Sequence, residues 1–192
     1  SNRGSISTNC LARPNKADAP PGNAVTVAAR FSLRVLEDSD LPALLELYRA
    51  CEDFLALGPR LHASLEMVRG VMLLSRENGG TFQGIFDPEG RLIGVADWIA
   101  GGFEGKPDTA FIELLMVAAP SRSAGLGRAV VAEIERRIRQ AGAQRIELGV
   151  QVNNLPAQRF WLRRGYRSAG PPRKFADGTT AIRMRKVLDD LA

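Results

Sequence analysis

The chain has 192 residues, 45% hydrophobic, 24% charged and 6% aromatic, proportions of a mixed globular domain that exclude collagenous and largely disordered readings. No uncharged apolar stretch approaches the roughly 20 residues a bilayer span needs, no secretory apolar segment opens the chain, and Cys10 and Cys51 are too few for a disulfide framework. A cytoplasmic protein with no membrane partner is the expectation, and its net charge of +5 is uneven: +3 over residues 1–30, −7 over 31–119 and +9 over 120–192. An acidic middle ahead of a basic end suits two surfaces, one for a cation or amine and one for a polyanion.

Residues 1–24 are rich in Ser, Asn, Ala and Pro without apolar periodicity, so they read as a flexible leader, with 25–192 as one domain. Val25 to Val35 suits a first strand. Asp38, Ser39 and Asp40 offer an N-cap before Leu41-Pro42, and Leu41, Leu44, Leu45 and Tyr48 follow at helical spacing to about Cys51. After the Gly58-Pro59 break, a second helix is expected from Leu61 to Arg76, with Leu65, Val68, Met72 and Leu73 on one stripe. Thr81 to Phe86 and Arg91 to Ile99 read as a hairpin about Asp87-Pro88-Glu89-Gly90. A Gly-rich loop, Ala100 to Asp108, leads into the strand Ala110 to Val117, apolar except for Glu113. Leu126, Val130, Ile134 and Ile138 recur every fourth residue in a helix from Gly125 to Ala141, closed by Gly142. Arg145 to Val152 reads as a strand, Asn154 to Arg164 as a short helix ended by Gly165, and Tyr166 to Val187 as a last strand pair. This order has too many hairpins for a doubly wound fold and too many helices for a sandwich. The expected class is α/β, one mixed, mostly antiparallel sheet with helices on both faces.

The stretch from Ile112 to Gly127 runs from a strand through a small-residue loop into a helix whose first turn holds Gly125 and Gly127. A helix N-terminus offers unpaired N–H groups and a positive dipole end, and glycines let an anion approach them closely. A dinucleotide fingerprint would need a third glycine where Val130 stands, and the Gly-Lys-Ser/Thr of a P-loop is absent. His62 is the only histidine, which disfavours a Ser-His-Asp triad, and the cysteines have no metal-ligand spacing, so no metal is expected. Arg136, Arg137 and Arg139 lie on the polar side of an amphipathic helix with few aromatics interleaved, so no nucleic-acid partner is expected.

Arg122-Ser-Ala-Gly125-Leu-Gly127 resembles the Gln/Arg-x-x-Gly-x-Gly/Ala signature of the GNAT superfamily of N-acetyltransferases. Further along, Asn154-Leu-Pro-Ala157-Gln-Arg-Phe160-Trp161-Leu-Arg-Arg-Gly165-Tyr166 is similar to that superfamily's Asn-x-x-Ala-x-x-Phe/Leu-Tyr-x-x-x-Gly-Phe block. The element order resembles the GNAT fold from about Phe31 to the C-terminus. The resemblance implies acetyl-CoA as co-substrate and a small-molecule amine as acceptor, with a protein or peptide amine as the alternative. Met116 and Val117 would pair with the pantetheine arm, and amides across Arg122, Ser123, Ala124, Gly125, Leu126, Gly127 and Arg128 would hold the pyrophosphate. Asn154 and Trp161 would border the cofactor, and Arg122 or Arg128 could meet phosphates bidentately. A homodimer is expected by analogy alone.

Acyl transfer to an ammonium needs a base. Glu113, interrupting an apolar strand, is the first candidate, because such surroundings raise a carboxyl's pKa; a solvent-facing edge glutamate is the plain alternative. Asp97, in Val95-Ala-Asp-Trp-Ile99, is the second, and Glu52-Asp53 could read the amine or simply end a helix. Where the second block usually carries Tyr, an acid for the leaving thiolate, this chain has Trp161, whose indole donates a hydrogen bond but no proton. Tyr166 is the nearby phenol, at a position that suits packing, and the substitution leaves room for a non-catalytic acyl-CoA binder.

Overall fold

A computed structural model describes residues 9–10, 31–122 and 125–188. Its elements are β1 (Asn9–Cys10), β2 (Ser32–Val35), α1 (Leu41–Arg49), α2 (Glu52–Leu55), α3 (Leu65–Glu77), β3 (Thr81–Phe86), β4 (Leu92–Ile99), β5 (Thr109–Val117), α4 (Leu126–Gln140), β6 (Arg145–Gln151), α5 (Leu155–Arg163), β7 (Arg167–Ser168), β8 (Arg173–Lys174) and β9 (Thr180–Val187). The sheet runs β2-β3-β4-β5-β6-β9-β7, with β1 added to β5 and β8 to β9. Among the described residues only β1–β5 and β5–β6 are parallel, so the expected mixed, mostly antiparallel sheet forms.

The helices cover both faces because each brings one apolar stripe. Leu126, Val130, Ile134 and Ile138 of α4, with Ala157 and Trp161 of α5, pack on Ile112, Leu115 and Leu148. Burial of each such aliphatic contributes about 1.5–3 kcal/mol, so the i+4 spacing alone is enough to place α4. On the opposite face Leu41, Leu44 and Tyr48 of α1 and Met67, Val68 and Met72 of α3 meet Val95, Leu114 and Met116. Side chains alternate along a strand, so β5 feeds both cores, and all 9 of its residues are buried.

Several boundaries differ from the sequence reading. The first helix stops at Arg49, and the short α2 follows it. Asp40 makes no side-chain cap on α1; its carboxylate takes Arg34 at 2.8 and 2.9 Å and the Glu37 amide at 2.8 Å. Helix α3 begins at Leu65, where Ser64 Oγ accepts the Met67 amide at 3.1 Å. Its buried stripe is Met67, Val68, Met72 and Ser75, whereas Leu65 and Leu73 are exposed. The C-terminal stretch yields β7, β8 and β9 rather than a pair of strands, and residues 25–30 lie outside the described residues. Among the described residues no helix is long and apolar enough to cross a membrane.

Two irregularities of β5 create the site. It pairs with β6 only from Thr109 to Ile112, after which β6 continues along β9, and the two strands part. On that open edge Asn9 and Cys10 pair in parallel with Leu115 and Met116. Toward β4 the register shifts: Asp97 faces Leu114 while Trp98 faces Ile112, leaving Glu113 as the extra residue of a bulge.

Candidate active site

In an unbroken strand Glu113 and Leu114 would face opposite sides of the sheet. The extra residue re-aims Glu113, and both residues border one cavity together with Asp97. Glu113 is 6% exposed and Asp97 2%. Asp97 lies close enough to Glu113 to disfavour its ionisation, and Ser75 Oγ donates to Asp97 Oδ1 at 2.8 Å. Gly80 makes room for this network: a Cβ there would lie 2.5 Å from Ser75 Oγ and 2.9 Å from Asp97 Oδ1.

Burial, reinforced by the neighbouring Asp97, pushes Glu113 up from 4.5 to about 8. Asp97 is also raised by burial, against the opposing effect of the hydrogen bond from Ser75. Two neighbouring carboxyls resist simultaneous ionisation, so each makes the other harder to deprotonate. A carboxylate of this basicity can take a proton from an ammonium held in the cavity.

The cofactor-side residues gather around the parted end of β5. Met116 and Val117 are fully buried at the opening. Gly125 is the N-cap of α4 at φ +107, a conformation that L side chains rarely adopt, and nothing lies within 4 Å of where its Cβ would be. Beyond it, Leu126, Gly127 and Arg128 form the first turn of α4, whose N–H groups have no partner within the helix. The Arg128 side chain is exposed. Asn154 is 3% exposed and caps α5, its Oδ1 accepting the Ala157 amide at 3.1 Å. Ser123 and Ala124 lie outside the described residues.

The side chains of Arg122, Asp53, Glu52 and Tyr166 are engaged within the fold. The Arg122 guanidinium turns inward, with Nε donating to the Val117 carbonyl at 2.8 Å and its two terminal nitrogens to Asp53 at 2.7 and 3.1 Å. It fastens α2 to the end of β5 instead of reaching outward. Asp53 is thereby held by Arg122, and Glu52 accepts the Ala63 amide and faces His62, so neither borders the cavity. Tyr166 is fully buried, edge-on to Trp161 at 4.9 Å, and its hydroxyl donates to Glu135 on α4 at 3.1 Å. Burial and Glu135 hold that phenol well above its ordinary pKa. Trp161 is itself fully buried, and its indole N–H has no hydrogen-bond partner among the described residues.

The sequence reading missed Ser75 and Gln151. Ser75 carried a usable signal, a polar residue in helical register with Val68 and Met72. Gln151 carried none, because a glutamine ending a strand is ordinary.

The profile of the Acetyltransferase (GNAT) family matches residues 41–166, from α1 through the Gly125 loop to the residue after α5 and its Gly165. The chain belongs to this family. The GNAT chain is 38% identical over 58 residues to the aminoalkylphosphonate N-acetyltransferase of Salmonella typhimurium, a match spanning 30% of this chain and 38% of that relative's length. In fold it is similar to an acetyltransferase from Thermus thermophilus, with a TM-score of 0.69 and 21% identity over 83% of this chain and 97% of that one. It is likewise similar to an acetyltransferase from Salmonella typhimurium solved with its cofactor acetyl-CoA, with a TM-score of 0.61 and 18% identity over 85% and 96% of the two chains. At these identities the solved structures speak to the GNAT fold.

Proposed function

We propose that this GNAT chain moves an acetyl group from acetyl-CoA to a primary amine of a small molecule by direct attack in a ternary complex. The observation that carries the reading is the buried Glu113–Asp97 pair, opening into a cavity on one side of β5 while the strand's other edge stands apart from β6.

The residues fit an acyl-CoA. An extended arm can add to the open edge as a strand, which Asn9 and Cys10 already do at Leu115 and Met116. One edge pairs with one strand at a time, so the arm would displace β1. The first turn of α4 behind Gly125 offers amides and dipole to a pyrophosphate, and the exposed Arg128 offers charge. Arg122 would act by holding the Val117 carbonyl and Asp53, not by touching phosphate.

Bound acetyl-CoA would supply an activated thioester. Ionised Glu113 takes a proton from the acceptor ammonium, and the freed nitrogen attacks the acyl carbon. Asp97, positioned by Ser75, keeps Glu113 basic through the repulsion between two neighbouring carboxylates, and Glu113 is reset by releasing the proton to solvent. The carbon–sulfur bond breaks, the nitrogen loses its second proton to solvent, and the thiolate leaves. Trp161 cannot protonate that thiolate, though its unpaired N–H is free to donate a hydrogen bond.

The Salmonella relative's name would bring an aminoalkylphosphonate as acceptor, but the cavity lining has Glu66, Glu77, Asp97, Glu113 and Asp177 against Arg60, which disfavours an anion. The competing reading is an acyl-CoA binder without turnover, favoured by Trp161 in place of tyrosine. Thiol release measured over a panel of primary amines separates the two. Amine-dependent release that Glu113→Gln abolishes supports the enzyme; saturable acetyl-CoA binding without release across the panel supports the binder.

A further inference from the structure

The cavity between α1, α3 and the sheet has a volume of about 660 Å3. Its walls are apolar at Tyr48, Phe54, Met67 and Leu114, and its charged groups are mostly the carboxyls already named. Gln151 borders the same space from the end of β6, on a different strand from Glu113. It is 3% exposed, and its side-chain Oε1 has no hydrogen-bond partner among the described residues. The neighbouring Thr179 hydroxyl cannot satisfy it, since that proton goes to Asp177 Oδ1 at 2.7 Å. A buried carbonyl oxygen left without a donor costs stability, and a ligand that supplies the donor recovers it.

We infer that Gln151 is a specificity-determining residue of the acceptor site, and that the acceptor is a cationic amine without an acidic group, bearing a second N–H or O–H donor that Gln151 Oε1 accepts. A diamine or an amino alcohol with an apolar chain has this chemistry. The inference deepens the proposed function and rests on it. The reacting ammonium goes to Glu113, the apolar chain lies on the Tyr48, Phe54 and Met67 walls, and the second donor goes to Gln151. An acid-bearing amine meets the carboxylate lining as like charge.

The test uses amines of equal chain length: a plain alkylamine, an amino alcohol, a diamine, an ω-amino acid and an aminoalkylphosphonate. Thiol release with acetyl-CoA gives kcat/KM, and calorimetry gives the affinity of each amine for the full chain. The diamine and amino alcohol are expected to exceed the alkylamine by about tenfold, with the acid-bearing amines lowest. Gln151→Leu should bring that ratio near unity, and Gln151→Glu, which keeps an oxygen acceptor, should restore it for the diamine. An unchanged ratio in folded Gln151→Leu, or preference for an acid-bearing amine, overturns the inference. Equal turnover across the set also overturns it while leaving the transferase reading standing. A Gln151-dependent binding preference without thiol release does the reverse, and neither binding nor turnover with any member overturns both.

Discussion

Along the edge of β5 that faces β6, the groups on offer belong to the main chain: the edge at Leu115 and Met116, where β1 pairs, and the first amides of α4 behind Gly125. Across the bulge they belong to side chains, Glu113, Asp97 and Ser75, and each depends on a neighbour for its state. A main-chain site recognises a ligand common to many sequences and tolerates side-chain change, provided the glycines remain. A side-chain site selects one substrate and fails when a single partner is lost. The two regions should therefore break separately.

The largest expected effect is that of Glu113→Gln, which should lower kcat by roughly 10²- to 10⁴-fold, the usual contribution of a general base, while acetyl-CoA affinity in calorimetry stays unchanged. The converse variant, Gly125→Glu with Gly127→Glu, should raise the acetyl-CoA Kd by about a hundredfold or more, since two carboxylates at a helix N-terminus repel a pyrophosphate and obstruct it. If either variant damages both properties in a folded protein, the separation is wrong.

pH sharpens the contrast. Glu113 stands at about 8 in the folded chain against 4.5 ordinarily, so the stability tied to its protonated form is complete below 4.5 and is lost as pH rises through 8. Activity should move the opposite way, rising with pH to a plateau above about 8 as the base ionises. Thermal melts and kcat profiles recorded together should cross, and Glu113→Gln should flatten both, leaving in the melts the smaller slope due to Asp97. The acetyl-CoA Kd should show no step at that pH.

Smaller effects follow from second partners. Gly80→Ala pushes a methyl group into Ser75 Oγ and Asp97 Oδ1, and should cost about 1–3 kcal/mol in denaturant unfolding and shift the rise in activity along the pH axis. Removing residues 1–24 frees the Leu115–Met116 edge from Asn9 and Cys10, so the acetyl-CoA Kd should fall by a few fold, the fraction of edge previously occupied. An unchanged Kd would mean that β1 does not compete with the arm.

The main-chain region was the more legible of the two in the sequence. Gly125, Gly127 and the i+4 run from Leu126 to Ile138 are local signals, and the structure builds the loop-to-helix turn they describe. Glu113 also stood out locally as the lone charge in an apolar strand, and Asp97 in the same way. What no local pattern carried is that these two carboxyls border one cavity, because that placement depends on β4–β5 pairing and on a bulge between Asp97 and Trp98. Nor did any local pattern carry the ion pair of the Arg122 side chain, because its partner Asp53 is far away in sequence.

The sequence by itself carried the resemblance to the family, in its two motif blocks, and most of the order of elements with the glycine-bearing start of α4, in periodicity, glycine positions and spacing within short segments. Only the tertiary structure decided which strands part, which face Glu113 takes, and that Gln151 and Ser75 join the cavity. Those features arise from register and from packing between distant segments, where a one-residue shift in pairing turns a side chain from one face of the sheet to the other.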